Sequence, residues 1–187
     1  MDLITLSMPV YNVEKYVEKA LLSALNQTYE NIEFIIVDDR GSDKSMEIVR
    51  RIVAYHPKGK QVRIIEHERN IGTGAVRNTA IENATGKYLF FMDSDDEISP
   101  DCIEKLYAKM QEENVDFVES SYQTLLRSGE VIRKFSNSPP PEFGKVIWKW
   151  RGNSLKTETK HYISPHGIDY TAYRFYATII YCVILLI

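Results

Sequence analysis

The sequence predicts a three-layer α/β/α fold around a mainly parallel sheet, and three features indicate it. Short apolar stretches alternate with amphipathic ones up to about residue 124 of the 187, as strands and helices do in repeated βα units. Most of the short stretches are apolar at nearly every position, which is typical of strands buried on both faces. Polar residues follow the ends of these stretches, where open α/β sheets bind their ligands.

Five apolar stretches are predicted as strands. The first, Ile4 to Val10, leads into a polar turn, and the fourth, Tyr88 to Met92, leads into three carboxylates within four positions. The other three are Glu33 to Val37, Val62 to Glu66 and Val115 to Tyr122. Their lengths and short separations predict strands that lie side by side in one sheet.

Amphipathic segments between the strands are predicted as helices. Asn12 is expected to cap the first helix, and Ser42 or Asp43 the second, because Asn, Ser and Asp accept hydrogen bonds from free N–H groups at helix starts. Pro57 follows the end of the second helix, as proline often does.

Two more helices are predicted on either side of the fourth strand. One runs from Gly74 to Ala84, with Gly86 as its C-terminal stop. The other opens at Ser99-Pro100, since proline is favourable in a first helical turn. Apolar residues in these helices recur three or four positions apart, so each has one face for the sheet.

Composition limits the functional classes. The chain is 44% hydrophobic and 26% charged, as soluble globular proteins are, and its net charge of -3 argues against a nucleic-acid partner. Cys102 and Cys182 form neither a disulfide framework nor a metal-binding cluster by spacing. The N-terminal residues show no signal sequence, so a cytoplasmic location is expected.

The βα alternation stops near residue 124, which divides the chain into two predicted domains. Residues 1–124 form the ligand-binding α/β domain, and residues 125–187 form a less regular region. Within that region Glu130 to Phe135 is expected to form half of a hairpin, and Ser136 to Pro141 a linker.

The last ten residues, Thr178 to Ile187, are almost all apolar. A bilayer requires ~20 such residues, so this segment is too short to cross one. It is interpreted as a core strand or helix, as a membrane-surface element, or, the favoured interpretation, as the end of a truncated chain. Trp148 to Arg151 mixes aromatic and basic residues, as interfacial segments do, which indicates a peripheral membrane contact or a packed wall.

The turn after the first strand excludes two classes of α/β protein. Dinucleotide-binding folds need glycines there, whereas this turn, Pro9 to Val13, has none, and no Walker loop occurs. A phospho-receiver domain would need acids after that strand, where this chain has Tyr11 and Asn12. Any phosphates are therefore expected to be held by side chains and a metal ion.

The acids after the fourth strand predict that metal ion. Asp93, Asp95 and Asp96 repel one another, and a divalent cation carrying phosphates would relieve the repulsion. Oxygen ligands favour Mg²⁺ or Mn²⁺ over zinc. The structural alternative is a solvated acidic turn before the next helix.

Four segments at the strand ends, in this order and with these gaps, resemble the nucleotide-binding half of family 2 glycosyltransferases. They are Ser7 to Asn12, Val37 to Asp43, Asn70 to Asn78 and Phe91 to Asp96. The resemblance implies the A-type glycosyltransferase fold of the nucleotide-diphospho-sugar transferase superfamily, with a Rossmann-like sheet and inverting chemistry. It covers about the first two-thirds of the chain.

The resemblance implies a base-binding side of the site. Tyr11 would lie against a uracil ring, and Asp38 or, preferably, Asp39 would accept a hydrogen bond from the ring N–H. Pro9 and Asn12 would line the same part of the nucleotide-sugar site.

The resemblance also implies a phosphate and metal side. Arg77 would contact the base or the phosphates, and Asp93 the ribose. Asp95, together with Asp93, would bind Mg²⁺ or Mn²⁺, and Ser94 lies between them. Asp96 is expected to orient the loop.

Each of these residues has a structural alternative. Tyr11 would be a packed strand-end aromatic, Asp39 a cap of the turn at Gly41-Ser42, and Arg77 a surface residue of its helix. The chain also departs from the family's usual Asp-Asp-Gly-Ser, because Arg40 precedes Gly41.

The catalytic base is the weakest prediction from the sequence. Inverting transfer needs a carboxylate to accept the proton of the attacking hydroxyl, and relatives carry it in an acidic pair. No Glu-Asp pair follows Asp96, so Asp169 is a weak candidate, ahead of Glu142 and Glu158. His161 and His166 are expected to be ordinary surface or packed residues.

The sequence therefore predicts a metal-assisted, inverting glycosyltransferase that acts on a nucleotide sugar, in particular a UDP-sugar. Its acceptor would be a glycan or a lipid-linked saccharide in polysaccharide biosynthesis, in the cytoplasm or at the inner face of the membrane. The alternatives are a nucleotide-sugar binding module without turnover and a truncated, inactive transferase. A nucleotidyltransferase is disfavoured because its glycine- and arginine-rich loop is missing.

Overall fold

The computed structural model describes residues 1–114, 117–119, 122–125, 131–135, 150–151, 154–155 and 183–186. The chain divides into two compact units, one made of Met1–Ser120 with Ile180–Ile187 and the other of Ser121–Ile179. Each unit is described by itself below.

Strands and helices alternate along the first unit. Its strands are β1 Ile4–Val10, β2 Ile32–Asp38, β3 Val62–Glu66, β4 Tyr88–Phe91, β5 Phe117–Glu119 and β10 Val183–Leu186. The strands of the second unit are β6 Tyr122–Leu125, β7 Val131–Phe135, β8 Trp150–Arg151 and β9 Ser154–Leu155. The helices are α1 Val17–Leu25, α2 Ser45–Tyr55, α3 Thr73–Asn83 and α4 Cys102–Glu113. A short 3₁₀ turn, Pro57–Gln61, precedes β3.

The sheet of the first unit has the order β3-β2-β1-β4-β10-β5. The first four strands by sequence are parallel, with Ile4 of β1 opposite Ile32 of β2 and Tyr88 of β4. β10 runs antiparallel to both β4 and β5. The order reverses at β1, because β2 and β3 follow on one side and β4 on the other, so the crevice of such folds lies beyond this point.

Helices cover both faces of the sheet, which confirms the predicted three-layer α/β/α fold. The smaller apolar cluster lies under α3 and consists of Ile35, Val37, Val76, Ala80, Leu89 and Phe91. The larger cluster joins the opposite face to α1, α2 and α4, with Leu6, Phe34 and Phe90 at its centre. Strands buried on both faces account for the uninterrupted apolar stretches in the sequence.

Two predicted helix starts are corrected. α1 begins at Val17, not at Asn12, because Asn12 has a left-handed backbone (φ 53°) and its Oδ1 accepts a 2.8 Å hydrogen bond from the Ser42 N–H. Asn12 therefore joins two loops instead of capping a helix. α2 begins at Ser45, and its N-cap is Lys44, not the predicted Ser42 or Asp43. Asp43, one residue before the cap, accepts a 2.9 Å hydrogen bond from the Ser45 N–H through its Oδ1.

The predicted role of Gly86 is also corrected. α3 ends at Asn83, with Ala84 as its C-cap, so Gly86 is not the helix stop. Instead Gly86 passes so close to β1 that an added Cβ would lie 2.7 Å from the Thr5 backbone nitrogen. Only glycine fits there, because its hydrogen replaces a methyl group.

The predicted strand Val115 to Tyr122 is two strands in different sheets. β5 belongs to the six-stranded sheet, whereas β6 pairs with β7 in an antiparallel hairpin of the second unit. That hairpin confirms the prediction for Glu130 to Phe135. β8 and β9 form a separate antiparallel pair.

The predicted division into residues 1–124 and 125–187 stays a prediction. Part of the apolar end nevertheless lies in the sheet of the first unit, as strand β10. The predicted linker, Ser136 to Pro141, lies outside the described residues. Among the residues that are described, no helix has the length and apolar character needed to cross a membrane.

Candidate functional site

The polar strand ends predicted to form the site lie along one edge of the sheet. β1 is central there and leads into Tyr11, with Asp39 following β2 on one side and Asp93 following β4 on the other. Neighbouring strands are ~4.8 Å apart, so the ends of β2 and β4 are separated by about 10 Å across β1. This spacing is comparable to the length of a nucleotide, and the two sides of the edge differ in chemistry.

Asp39 is buried beneath the loop that joins β3 to α3. Its side chain, 2% exposed, accepts a hydrogen bond from Asn70 Nδ2 at 2.9 Å and from the backbone N–H groups of Ile71 and Gly72, both at 3.0 Å. His67 Nδ1 lies 2.8 Å from the same carboxylate, and its Nε2 lies 2.9 Å from Thr79 Oγ1 on α3.

The charge of Asp39 is stabilised by these partners. Burial tends to raise its pKa, but hydrogen bonds from His67, Ile71 and Gly72 outweigh burial and hold the pKa below its usual range. The partners occupy both oxygens, so the predicted contact with a base N–H stays a prediction and would require one of them to yield. The alternative role for Asp39, as cap of the Gly41-Ser42 turn, is wrong because its bonds go to the β3–α3 loop.

Asp38 is also buried but faces a cluster of arginines. Its Oδ1 accepts the Arg40 N–H at 2.8 Å, and Oδ2 lies 3.8 Å from Arg40 Nη1 and 3.9 Å from Arg50 Nη2. Glu66 pairs with both arginines, at 3.1 and 2.7 Å. Asp38 is therefore tied to the β2–β3 side of the sheet, and the preference for Asp39 over Asp38 as the base contact stays a prediction.

Arg40 adopts the conformation that the family's glycine would give. Its φ is 58°, in the left-handed region, and its Nε donates to the His67 carbonyl. Gly41 beside it cannot be replaced without a shift, because an added Cβ would lie 2.7 Å from the Asn12 nitrogen. The departure at Arg40 is thus accommodated, with contacts of its guanidinium offsetting backbone strain.

The residues around the end of β1 differ in exposure. Tyr11 is 48% exposed, so its alternative as a packed aromatic is wrong. Pro9 is half-buried within β1, and Asn12 is engaged with Ser42. Ser94 is buried in the turn after β4. Among these residues, Tyr11 has the exposed aromatic side chain, and its contact with a base stays a prediction.

Arg77 lies on α3 and reaches across to the end of β4. Its side chain is only 16% exposed, its Nη2 lies 3.6 Å from Asp93 Oδ1, and its guanidinium carbon lies 5.8 Å from the centre of the Phe91 ring. The alternative of a surface residue is therefore wrong. α3 positions a fixed positive charge beside the acidic turn.

The acids after β4 are poorly compensated. Burial raises the pKa of Asp93, with Arg77 opposing and Asp95 adding to the rise. Burial and the charges of Asp95 and Asp93 raise the pKa of Asp96 to about 6. Asp95 itself is exposed. Across the described part of the chain, no group of three or more His, Cys, Asp or Glu residues could hold a metal ion by itself.

Other candidates fall beyond the described structure. Asp169, Glu142 and Glu158, and the two histidines His161 and His166, lie outside the described residues, so their roles stay predictions.

The sequence analysis missed His67 and Thr79, which connect Asp39 to α3. His67 directly follows β3, so the same strand-end argument would have identified it. Thr79 has no comparable signal in the sequence.

Comparison with known proteins gives a consistent result. The family model described as glycosyl transferase family 2 matches residues 5–176. An uncharacterized glycosyltransferase of Haemophilus influenzae is 36% identical over 159 residues, covering 85% of this chain and 61% of that protein. Glycosyltransferase GlyA of Streptococcus pneumoniae is 41% identical over 127 residues, covering 68% of this chain and 18% of that protein.

A solved structure is similar over most of the chain. The crystal structure of S. aureus TarS 1-349 in complex with UDP-GlcNAc has a TM-score of 0.59 and 26% identity, covering 70% of this chain and 37% of that one. This chain thus spans 61% or less of the length of each of these three proteins.

Proposed function

This chain belongs to glycosyl transferase family 2, and from that premise we propose that it transfers a sugar from a nucleotide-sugar donor, in particular a UDP-sugar, to a glycan or lipid-linked saccharide. We further propose that the transfer inverts the anomeric configuration and depends on a divalent metal ion. A peripheral membrane contact on the acceptor side belongs to the same proposal.

The observation that carries the proposal is the contrast across the end of β1. On one side Arg77 and the undercompensated Asp93 lie beside the exposed Asp95. On the other side Asp39 binds the β3–α3 loop through its carboxylate and the end of β1 through its backbone N–H, and the exposed Tyr11 directly follows β1. A nucleoside diphosphate has the matching parts, because it joins a flat, weakly polar ring to a charged diphosphate.

The donor would lie with its base at Tyr11 and its phosphates toward α3. An aromatic ring offers a base a large contact area at little entropic cost. The guanidinium of Arg77 keeps its charge at all relevant pH values and donates in a fork that suits phosphate oxygens. Asp93, already paired with Arg77, would accept from a ribose hydroxyl.

Asp93 and Asp95 have the right chemistry for Mg²⁺ or Mn²⁺. Both supply only oxygen, and burial together with the charge of Asp95 raises the pKa of Asp93 despite its pairing with Arg77, so a further positive charge would be favourable there. Two carboxylates suffice, since Mg²⁺ sites commonly use one or two together with substrate phosphates and water. When bound, the ion would neutralise the charge that develops on the departing diphosphate.

The transfer itself needs a base for the acceptor. A carboxylate removes the hydroxyl proton while the hydroxyl oxygen bonds to the anomeric carbon, and the bond from that carbon to the phosphate oxygen breaks. Asp169, which lies outside the described residues, is the proposed base. The second candidate function is a binding module without turnover, because the site residues that the structure describes, Arg77, Asp93 and Asp95, are all proposed to contact the donor or its metal ion.

Calorimetry with UDP, with and without Mn²⁺, tests the donor site. We expect Mn²⁺ to strengthen UDP binding, and Arg77→Met to weaken it by roughly tenfold or more, as loss of a charge-assisted hydrogen bond does. Arg51→Met is the matched control, because Arg51 pairs with Glu18 on the exposed side of α1 and α2 and should leave UDP binding unchanged. Equal UDP affinity for all three proteins would contradict the proposal.

A donor screen separates the two functions. Hydrolysis or transfer from UDP-, GDP- and TDP-sugars with Mn²⁺ would establish an enzyme and its nucleotide preference. UDP binding without turnover of any donor, on a screen that includes saccharide acceptors, would favour the binding module.

A further inference from the structure

Two segments that carry exposed apolar side chains are hydrogen-bonded to the buried Asp39. Five large hydrophobic residues in the described part of the chain are exposed: Met1, Tyr11, Tyr16, Tyr55 and Ile71. Two of the five lie next to a hydrogen bond of Asp39: Ile71 bonds to Asp39 itself, and Tyr11 follows Val10, which does so. The Asp39 N–H donates to the carbonyl of Val10, next to Tyr11, at 3.1 Å, and the Ile71 N–H donates to the Asp39 carboxylate at 3.0 Å.

The exposure of Ile71 is built into the loop. The Asp39 carboxylate holds the N–H groups of both Ile71 and Gly72, so the backbone that carries the Ile71 side chain is fixed on both sides of it. Gly72 has a φ of 87°, and a Cβ placed on it would meet no atom within 4 Å. The loop thus keeps an aliphatic side chain, 48% exposed, beside open space, although water is an unfavourable environment for it.

We propose that Ile71 is a second apolar contact for the nucleobase of the donor, in addition to Tyr11; this inference rests on the proposed function. A planar base has two faces, and a single aromatic residue covers only one of them. Ile71 would cover further ring surface at the same end of the site, because Asp39 anchors both segments. Ile71 would then contribute to affinity for the nucleoside and not to contacts with the phosphates.

The inference predicts a selective loss of binding. Replacing Ile71 with alanine should weaken UDP binding by about fivefold, which corresponds to part of the burial of one aliphatic side chain. Ile71→Leu should keep UDP affinity near that of the wild type. Binding of inorganic pyrophosphate in the presence of Mn²⁺ should be the same in all three proteins, since it carries no base.

Calorimetry of UDP and of pyrophosphate, each with Mn²⁺, tests this expectation. Tyr55→Ala is the matched control, because Tyr55 is also an exposed hydrophobic residue, 86% exposed at the end of α2. It is not among the hydrogen-bond partners described for Asp39. Thermal unfolding of each variant checks that the fold is retained.

Each outcome decides the inference. Weaker UDP binding in Ile71→Ala alone, with pyrophosphate binding unchanged, supports it. Unchanged UDP binding, an equal loss for UDP and pyrophosphate, or an equal loss in Tyr55→Ala would each overturn it while leaving the donor site intact. A wild-type chain that binds no UDP would instead overturn the proposed function, and the inference with it.

Discussion

The ends of β2 and β4 both carry adjacent acids, yet the structure treats the two groups in opposite ways. Asp39 after β2 is buried, and its partners hold its pKa below the usual range. Asp93 and Asp96 after β4 have raised pKa values, and Arg77 is the cation paired with Asp93 among the described contacts. An acid that the protein itself satisfies organises structure, whereas an acid left uncompensated is available for a ligand.

The largest effect is expected from removing Asp39, the acid that organises the end of β2. Asp39→Ala should lower the free energy of unfolding by at least about 3 kcal/mol, because it leaves several donors buried without an acceptor. Urea denaturation measures this change. Asp95→Ala is the control from the other strand end and should stay within about 0.5 kcal/mol of the wild type, since Asp95 is exposed. Equal effects of the two substitutions would remove the distinction.

The next prediction tests the ligand side. Asp95→Asn should remove most of the gain in UDP affinity that Mn²⁺ gives, a loss of at least about 10-fold, because the ion loses a charged ligand. UDP affinity without metal should change little. Calorimetry at matched protein concentration with EDTA or Mn²⁺ measures both values, and a metal-dependent gain that survives in Asp95→Asn would assign the metal to other residues.

A pH titration sharpens the comparison further. The folded pKa of Asp39 lies below the unfolded value of about 4, so its contribution to stability is complete above pH 4 and disappears as pH falls through the folded pKa. We expect the free energy of unfolding to decline below pH 4 in the wild type, and less steeply in Asp39→Asn. Parallel slopes from urea melts at pH 3 to 6 would show that Asp39 carries no such linkage.

The smallest effect is expected at Arg40, which lies beside Asp39 and contacts His67 and Glu66. Arg40→Gly removes left-handed strain of about 1 kcal/mol but also loses a half-exposed pair with Glu66, worth about 0.2–1 kcal/mol, so little net change is expected. Arg40→Ala loses the same pair and keeps the strain. Alanine should therefore be less stable than glycine at this position by about 1 kcal/mol, and the reverse order in urea melts would contradict this account.

The parallel sheet and the placement of the strand ends could be predicted because both follow from local pattern. Arg77 was identified by its motif, and the structure places it against Asp93. His67 apart, the partners of Asp39 could not be predicted, since they lie more than 30 residues further along the chain and two of them are backbone N–H groups. Hydrogen bonds of that kind leave no trace in residue type.

Helix starts and glycine roles were predicted less well for a related reason. Asn12 is of a residue type that often caps helices, but its side chain instead accepts a hydrogen bond from Ser42, 30 residues away in the sequence. Gly86 was predicted as a helix stop, whereas the structure requires glycine there because β1 passes too close for a side chain. The apolar end of the chain was compatible with a strand or a helix, because its partners β4 and β5 lie far upstream.

The position of β10 between β4 and β5 affects the order in which the protein assembles. β4 pairs with β1 on one edge, Ile4 being opposite Tyr88, whereas its partner on the other edge, β10, is not made until the chain has been synthesised as far as Val183. An open hydrophobic edge is prone to pair with other chains, and contacts of such long sequence separation form slowly. The strand that carries the acidic turn therefore gains its second partner from the latest-made part of the described chain, so we expect a nascent chain that has not yet reached Val183 to be prone to aggregation at this edge.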